Sequence, residues 1–556
     1  MNFTVLKHFQ IQALYKHLLL ADLVAGLSVA FILLPEAVAY AAIAHLTIQA
    51  AITAALIGLV VYALLGDSPF AIVAPTSSAA ALLAAVVLSM RPPDAAAIVS
   101  LGAALVILTG VGLLILSKAK LGRLSAFVSR PVLHGFSFAL AITIISKQLP
   151  IMLGVTLQAP NLYQLYVELA LNIQEASPWS AGLGVLALTL LLLLKRWPSL
   201  PGAFIVLVLG IIVSHSINLA DYHIATVGAV ILQMPELTIP QLPVEKWLQL
   251  AELAFGLMVI IVAESWGSIR SLSLIHGDKV DSNRELLALG VANLSSGLLQ
   301  GMPVGAGFSV SSADEDAGAK TKMAGVIAAG VLLSMAVFGK QWIALIPQPI
   351  VAAAVINGLS HALNPKALLV LWRMNRDQYL ALAAIMAVLA FGVLHGMLIS
   401  VALSLALAIR SFSQPIVREL AELGSSRDYV DRENHPNALP QDKLLILRPE
   451  APLFFASVEG LLTEIYRLFK LRKDAEILII SLEQSADLDS TSAESLIEFA
   501  EHLTQRNKIL LLARVKDPLR LLLLALAPAL FQHKMFWSVA DAVADAVADA
   551  QKIKQN

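Results

Sequence analysis

The chain has 556 residues, of which 58% are hydrophobic by type and 14% charged, with a mean hydropathy of +0.78. A soluble protein is about a quarter charged, so this is no ordinary globular enzyme, and a formal net charge of −1 gives no footing for a nucleic-acid binder. The absence of cysteine removes disulfide frameworks, cysteine nucleophiles, thiolate metal sites and thiol redox chemistry together.

The charges are unevenly spread. Residues 1–410 carry 21 Lys+Arg and 18 Asp+Glu, whereas residues 411–556 carry 17 and 21. The first part has a membrane composition and the second that of a soluble domain. Four regions follow: an N-terminal segment at 1–20, a membrane domain at 21–410, a linker at 411–440 and a folded tail domain at 441–556. The N-terminus does not read as a cleaved signal, because Asp22 interrupts the apolar run after Leu20 and no small-residue cleavage site follows. Residues 1–20 read equally as an interfacial amphipathic helix or a solvated lead-in.

Apolar runs near the ~20 residues that a membrane helix needs predict spans at Ala21–Ala44, Ile48–Leu65, Ala95–Leu116, Phe127–Ser146, Trp179–Leu194 and Ala203–Ile217. A second set follows at Leu248–Ile269, Arg284–Leu299, Met323–Phe338, Gln341–Leu359, Tyr379–Leu394 and Gly396–Ala408. Two further segments, Ser77–Met90 and about Ser309–Lys320, are too short or too polar to cross alone. Counted as passes they make fourteen, and the basic residues test that count. With a cytoplasmic N-terminus, Lys7, Lys16, Lys118, Lys120, Arg123, Arg130, Lys195, Arg196, Arg270, Lys279, Arg284, Lys320, Lys322, Lys366, Arg373, Arg376 and Arg410 fall inside. Arg91, Lys147, Lys246 and Lys340 fall outside, so seventeen against four agrees with the positive-inside rule. Dropping either short segment flips every later loop. The same topology makes both termini cytoplasmic.

The two short segments resemble each other. Pro69 precedes Ser77-Ser78-Ala79 by the same eight positions as Pro303 precedes Ser311-Ser312-Ala313. Either this is a chance match of small residues, or it marks two repeated units, each placing a broken helix at mid-membrane. Seven passes separate the copies, an odd number, so such repeats have inverted topology. Transporters bind substrate between such repeats, where half-helix N-termini meet. Thr76, Ser77, Ser78, Ser311 and Ser312 then stand at helix starts, where unpaired N–H groups and the helix dipole favour an anion. Plain helix capping by the same hydroxyls is compatible with that site.

Acidic residues inside spans are functional suspects. Glu36 follows Pro35 in the first span with Tyr40 one turn on, and Glu264 is its counterpart in the second half with Ser268 at i+4. Each carboxyl, withdrawn from water, can hold a proton, bind Na⁺ with neighbouring oxygens, or serve packing. Asp314-Glu315-Asp316 reads as a solvated vestibule, and His134 and His395 as interfacial residues. Gly318-Ala319-Lys320-Thr321 lacks the Gly-Lys adjacency of a phosphate loop. No metal site, ATPase module or catalytic motif is visible, and no enzyme is expected.

Together these motifs resemble the sulfate permease (SulP) family of anion transporters across nearly the whole chain. The carriers are Asp22-x-x-Ala25-Gly26, Leu34-Pro35-Glu36-Ala37-Val38-Ala39-Tyr40, Pro75-Thr76, Pro131-Val132-Leu133-His134-Gly135-Phe136 and Gln148-x5-Gly154. Further along they are Glu285–Asn293, Gly301-Met302-Pro303-Val304, Phe308-Ser309 and Gly318–Thr321. The resemblance implies a polytopic all-α membrane domain of seven-plus-seven inverted repeats, with core and gate parts and an elevator-like motion. The two short helices are broken and preceded by short β-stretches, and a cytoplasmic α/β STAS domain follows. A homodimer in the plasma (bacterial inner) membrane is implied as well. Carried over residue by residue, the substrate site is Glu36, Tyr40, Phe70, Thr76 to Ser78, Glu264, Ser268 and Phe308 to Ser312. Many relatives place an arginine or other polar residue where Val310 stands, so this site lacks a fixed positive charge. Relatives with a glutamate at the Glu36 position look proton-coupled. Those with an acid at the Glu264 position and a hydroxyl four residues later look Na⁺-coupled. Both patterns are present, and H⁺ is preferred over Na⁺ held by Glu264 and Ser268.

In the tail, Lys443–Arg448, Leu453-Phe454-Phe455, Glu476–Ser481 and Ile509–Leu512 read as strands. Glu459–Leu471, Ser492–Gln505 and Pro518–Leu526 read as helices. Phe454-Phe455-Ala456 and Asp489-Ser490-Thr491 resemble STAS domains, in whose anti-sigma relatives the motif serine is phosphorylated. Ser490 is either such a regulatory site or a helix cap. Asp541, Asp545 and Asp549 lie at i, i+4 spacing and read as a solvated face.

The expected function is secondary transport of a small anion (sulfate, bicarbonate or a dicarboxylate) with a cation and no bound cofactor. The other readings are a Na⁺-coupled bicarbonate symporter, an uncoupled anion channel or exchanger on the same fold, and a membrane-anchored STAS signalling scaffold that binds a cytoplasmic protein. Polar broken helices and buried acids count against the scaffold, since an anchor needs neither.

Overall fold

A computed structural model of the chain describes residues 3–122, 130–157, 161–197, 202–228, 236–375, 377–424 and 426–555. Arg123, Arg376 and the Phe127 start of the expected fourth span lie outside these residues. The chain divides between Ser404 and Leu405 into two compact units.

The larger unit is helical. Its first half runs α1 (Phe3–Ala44), α2 (Ile48–Leu65), β1 (Val73–Pro75), α3 (Ser77–Ser89), α4 (Ala95–Lys118), α5 (Arg130–Leu153), α6 (Leu162–Leu171), α7 (Pro178–Leu194) and α8 (Gly202–Ser216). Its second half runs α9 (Val244–His276), α10 (Ser282–Leu298), β2 (Val304–Ala306), α11 (Phe308–Asp316), α12 (Met323–Ile343), α13 (Gln348–Leu359), α14 (Lys366–Met374) and α15 (Gln378–Phe412). Non-helical backbone at Gly392 (φ 80) makes α15 two helices in effect. A helix therefore stands at each of the fourteen expected positions. Among the described residues six are long and apolar enough to cross a membrane by themselves.

The halves are related by inversion. β1 pairs antiparallel with β2, with Val73 opposite Ala306, Ala74 opposite Gly305 and Pro75 opposite Val304. Around that pair the packing is exchanged: α1 lies on α12 as α9 lies on α4, and α10 lies on α4 as α2 lies on α12. Small residues permit the closest crossings. A Cβ on Gly110 would stand 2.4 Å from the Leu294 backbone nitrogen, and one on Gly58 would stand 2.5 Å from the Val73 carbonyl.

Three expectations are corrected. The span read as Gln341–Leu359 begins only at Gln348, because Pro347 ends the preceding turn and caps α13. The short amphipathic helices α6 and α14 were not foreseen, since neither has a run long enough to register as a span. Of the acidic triplet, Asp314 is fully buried instead of solvated, and Glu315 pairs with His276 at 3.0 Å. Asp314 lies three residues after the buried Ser311, so the two share the inward face of α11.

The smaller unit is an α/β fold. A six-stranded sheet has the order β4 (Tyr429–Asp431), β3 (Val417–Glu422), β5 (Leu444–Pro449), β6 (Ile477–Ser481), β7 (Ile509–Ala513) and β8 (Met535–Phe536). β5 to β8 are parallel, and β3 is antiparallel to both β4 and β5. One face packs on α16 (Val458–Leu471), α17 (Ser490–Gln505), α18 (Asp517–Leu526) and the single turn α19 (Pro528–Phe531). The other takes α20 (Val539–Gln555) through Val539, Ala542, Val543 and Ala546. β3 and β4 arise from the stretch read as linker, whose alternating charges disguise two strands. Leu453-Phe454-Phe455 is no strand, because Ser457 Oγ accepts from the Phe454 N–H at 3.1 Å and closes a turn ahead of α16. Ser490 does not cap α17; Asp489 does, accepting from the Ser492 N–H at 2.9 Å, and leaves Ser490 exposed as the first helical residue. On α20, Asp541 is exposed and pairs with Arg427 at 2.5 Å.

Candidate functional site

The β1–β2 crossing aims two helices at one place. α3 and α11 each start one residue past the strand before them, with Thr76 and Gly307 as the junctions. Buried side chains rivet the crossing. Asn293 Oδ1 accepts from the Val304 N–H at 3.0 Å, and its Nδ2 donates to the Val304 carbonyl at 2.9 Å. Ser265 Oγ accepts from the Ala306 N–H at 2.9 Å, and Ser311 Oγ from the Ile72 N–H at 3.0 Å. Each rivet satisfies a backbone group that the two short strands leave unpaired in a water-poor interior.

The helix starts differ. Thr76 caps α3, its Oγ1 accepting from the Ala79 N–H at 3.4 Å, whereas Gly307 begins α11 with no side-chain cap. By helix geometry the N–H groups of Ser77 and Ser78, and those of Phe308, Ser309 and Val310, have no intrahelical partner. The structural match between the halves thus sets Ser77 against Phe308, three residues out of register with the Pro-to-Ser-Ser-Ala match in the sequence. Ser311 and Ser312 stand almost a turn inside α11, and Ser311 is spent on the rivet.

The two acids meet at these helix starts. Glu264 accepts from Thr76 Oγ1 at 3.0 Å and from Ser78 Oγ, so a carboxylate of the protein already sits at the α3 N-terminus. Tyr40 hydrogen-bonds Glu36 and reaches Ser77, and Glu36 feels the charge of Glu264. One hydroxyl and carboxyl network therefore joins α1, α3 and α9.

A cavity of about 570 Å³ opens beside it. Glu36, Tyr40, Thr76, Ser77, Ser78, Glu264, Phe308, Ser309 and Val310 line it. Four candidates do not. Phe70 is buried and stacks on His276 with ring centroids 4.2 Å apart. Ser268 is buried one turn beyond Glu264 with no hydrogen bond to its Oγ. Ser311 is buried and, like the half-buried Ser312, does not line the cavity. Sequence reasoning missed the rivets Asn293 and Ser265, which look like ordinary helix polar residues, and the cavity-lining Ser137, Asn364 and Lys366. His134, read as interfacial, borders the cavity as well. Among the described residues no group of three or more His, Cys, Asp or Glu side chains could hold a metal.

The sulfate permease family model matches residues 19–386, and the STAS domain model matches 433–542. A probable sulfate transporter of Mycobacterium tuberculosis is 29% identical over 504 residues, covering 90% of each chain. The structure of murine SLC26A9, an anion transporter in the inward-facing state, superposes with a TM-score of 0.87 at 20% identity, covering 95% of this chain and 91% of that one. The transmembrane domain of a cyanobacterial bicarbonate transporter, BicA, superposes with a TM-score of 0.60 at 21% identity, covering 70% and 97%.

Proposed function

The chain belongs to the sulfate permease family of membrane anion transporters and carries a STAS domain, and from that premise we propose that it moves a small oxyanion together with H⁺ across the plasma (bacterial inner) membrane. One observation carries the reading: the N-termini of α3 and α11 converge on a cavity that the carboxyls of Glu36 and Glu264 also line. Free N–H groups and two positive dipole ends attract an anion. Two carboxylates beside them repel it unless a cation neutralises one. A proton on Glu36 removes that repulsion, and Tyr40 remains in place as its hydrogen-bond partner. Anion and proton then bind together, which is the requirement for symport.

Sulfate, bicarbonate and small dicarboxylates are the substrate classes proposed; the similarity to sulfate transporters and to a bicarbonate transporter supports the first two. Alternating access by elevator-like displacement of the α1, α3, α9 and α11 wall, a homodimer and cytoplasmic termini belong to the same proposal. The excess of basic residues in the loops assigned to the inside supports the orientation. Purified protein in liposomes should take up labelled anion faster with an inward proton gradient. Uptake indifferent to that gradient, with Na⁺ able to replace it, overturns the proton assignment.

Na⁺ coupling is the second reading, favoured by the unpartnered Ser268 Oγ one turn from Glu264. Uptake driven by a Na⁺ gradient and lost in Ser268→Ala would establish it.

A further inference from the structure

The cavity has two walls of unlike charge. α1, α3, α9 and α11 form one, with Glu36, Glu264 and the two helix starts. α5, α13 and the chain leading into α14 form the other, which is apolar except for Ser137, His134, Asn364 and Lys366. Among the described lining residues, Lys366 is the one side chain with a permanent positive charge.

Its position is built. Asn364 Oδ1 accepts from the Lys366 N–H at 3.1 Å and fixes the first residue of α14. Asn364, Lys366, Ala367 and Leu368 border the cavity, whereas Leu369, Val370, Trp372 and Met374 further along are exposed apolar residues suited to lipid. The start of α14 thus faces the cavity and the remainder faces away. No ion pair to Lys366 occurs among the described residues. The plain alternative is an interfacial lysine reaching for lipid headgroups.

We propose that Lys366 is the cation that captures the anion, drawing it into a cavity whose opposite wall is negative until protonated. This rests on the anion-transport reading above. Lys366 belongs to the wall without the helix starts, so it governs arrival and departure, while the helix starts hold the anion in place. Its influence on an ion scales with that ion's charge. Whatever factor its removal imposes on a monovalent anion, a divalent anion should suffer that factor squared.

The cysteine-free chain makes a direct test possible. In purified full-length protein, Ser137→Cys places a thiol on the Lys366 wall, and its rates with an anionic and a cationic methanethiosulfonate reagent report the local potential. Lys366→Gln should lower the anionic-to-cationic rate ratio about tenfold, the lower end of electrostatic focusing in clefts. Lys366→Arg should restore the ratio, and 1 M salt, with a Debye length of about 3 Å, should abolish the difference. Ala362→Cys serves as the reporter if Ser137→Cys does not react. In liposomes Lys366→Gln should raise KM for sulfate more than for a monovalent anion, with the maximal rate kept. A rate ratio unmoved by Lys366→Gln overturns the capture role even if wild-type protein transports. A ratio that moves as expected in a protein that transports no anion supports the cavity charge and overturns the transport reading instead.

Discussion

Glu36→Gln is the most informative substitution, because it keeps the shape of the site and removes the proton. The glutamine carbonyl can still accept from Tyr40, which now bonds the carboxyl, and the helix starts of α3 and α11 are untouched. If protons ride on the two lining carboxyls, Glu36 and Glu264, the stoichiometry is one or two protons per anion. One pH unit is ~1.36 kcal/mol, so each coupled proton supports about tenfold accumulation per unit of gradient. At a gradient of two units and a membrane potential clamped to zero, a carrier using Glu36 alone should accumulate an anion up to ~100-fold. One using both carboxyls should reach ~10⁴-fold. Glu36→Gln should lower the slope of log accumulation against the gradient by one whole unit, to zero if Glu36 acts alone. Exchange of internal for external anion, which needs no net proton movement, should continue. The assay is labelled-anion uptake into proteoliposomes across a series of imposed gradients, with counterflow as the control. An unchanged slope in Glu36→Gln refutes the reasoning, since the proton would then ride elsewhere.

Other outcomes follow from the same geometry. Asn293→Ala strips the rivet from β2 and leaves buried backbone groups unpaired, at about 1–3 kcal/mol for each unsatisfied group, so the melting temperature of the purified protein should fall and anion binding with it. Gly110→Ala drives a Cβ into the α10 backbone at 2.4 Å. Overpacking of that kind costs about 1–3 kcal/mol, and thermal denaturation in detergent should show it. Asp489 is held below the usual carboxylate range by the N–H groups of Ser492 and Phe455. Its stabilising effect is therefore complete above its unfolded value of about 3.9 and is lost as pH falls through the lower folded value. Asp489→Asn should flatten that acid loss, as read by hydrogen exchange along α17. Val310→Arg should make uptake much less dependent on external pH, as measured by initial rates across a pH series.

The larger architecture could be read from the chain because two independent signals, apolar run length and the sidedness of basic residues, fall on the same helices. The failures share a cause. α6 and α14 are ten and nine residues long and carry polar side chains, so neither signal registers them. The repeat is visible in the sequence but out of register there, because the proline and serine identities align three residues away from the strand-to-helix junction that sets the structural match. Thr76 and Gly307 are the equivalent junction residues and share no chemistry. Glu36, Tyr40 and Glu264 were accessible as rare polar groups in apolar surroundings. Asn293 and Ser265 were not, because a buried residue that only holds backbone in place leaves no periodic trace. Lys366 was counted for topology, and nothing in the sequence shows that the start of α14 turns inward.

The charge balance at the helix starts explains why protonation can govern this site. Each helix N-terminus contributes roughly half an elementary charge, so α3 and α11 together supply about +1. Against them stand Glu36 and Glu264, which sum to −2 when both are ionised. The site is then close to −1 and repels an oxyanion. One proton brings it near neutrality, and the free N–H groups can act; a second makes it attractive. A guanidinium at position 310 would shift each of these states by a full positive charge. The half-protonated site would then already be attractive, and the fully ionised one neutral. Val310 borders the cavity, so an arginine there has open volume to enter, and the cost of overpacking is small compared with a change of one charge in a low-dielectric site. Anion binding that no longer waits for a proton is the signature of that shift. A Val310→Arg protein that folds and transports with the wild-type pH profile would show that the helix starts and the two carboxyls do not share one electrostatic site.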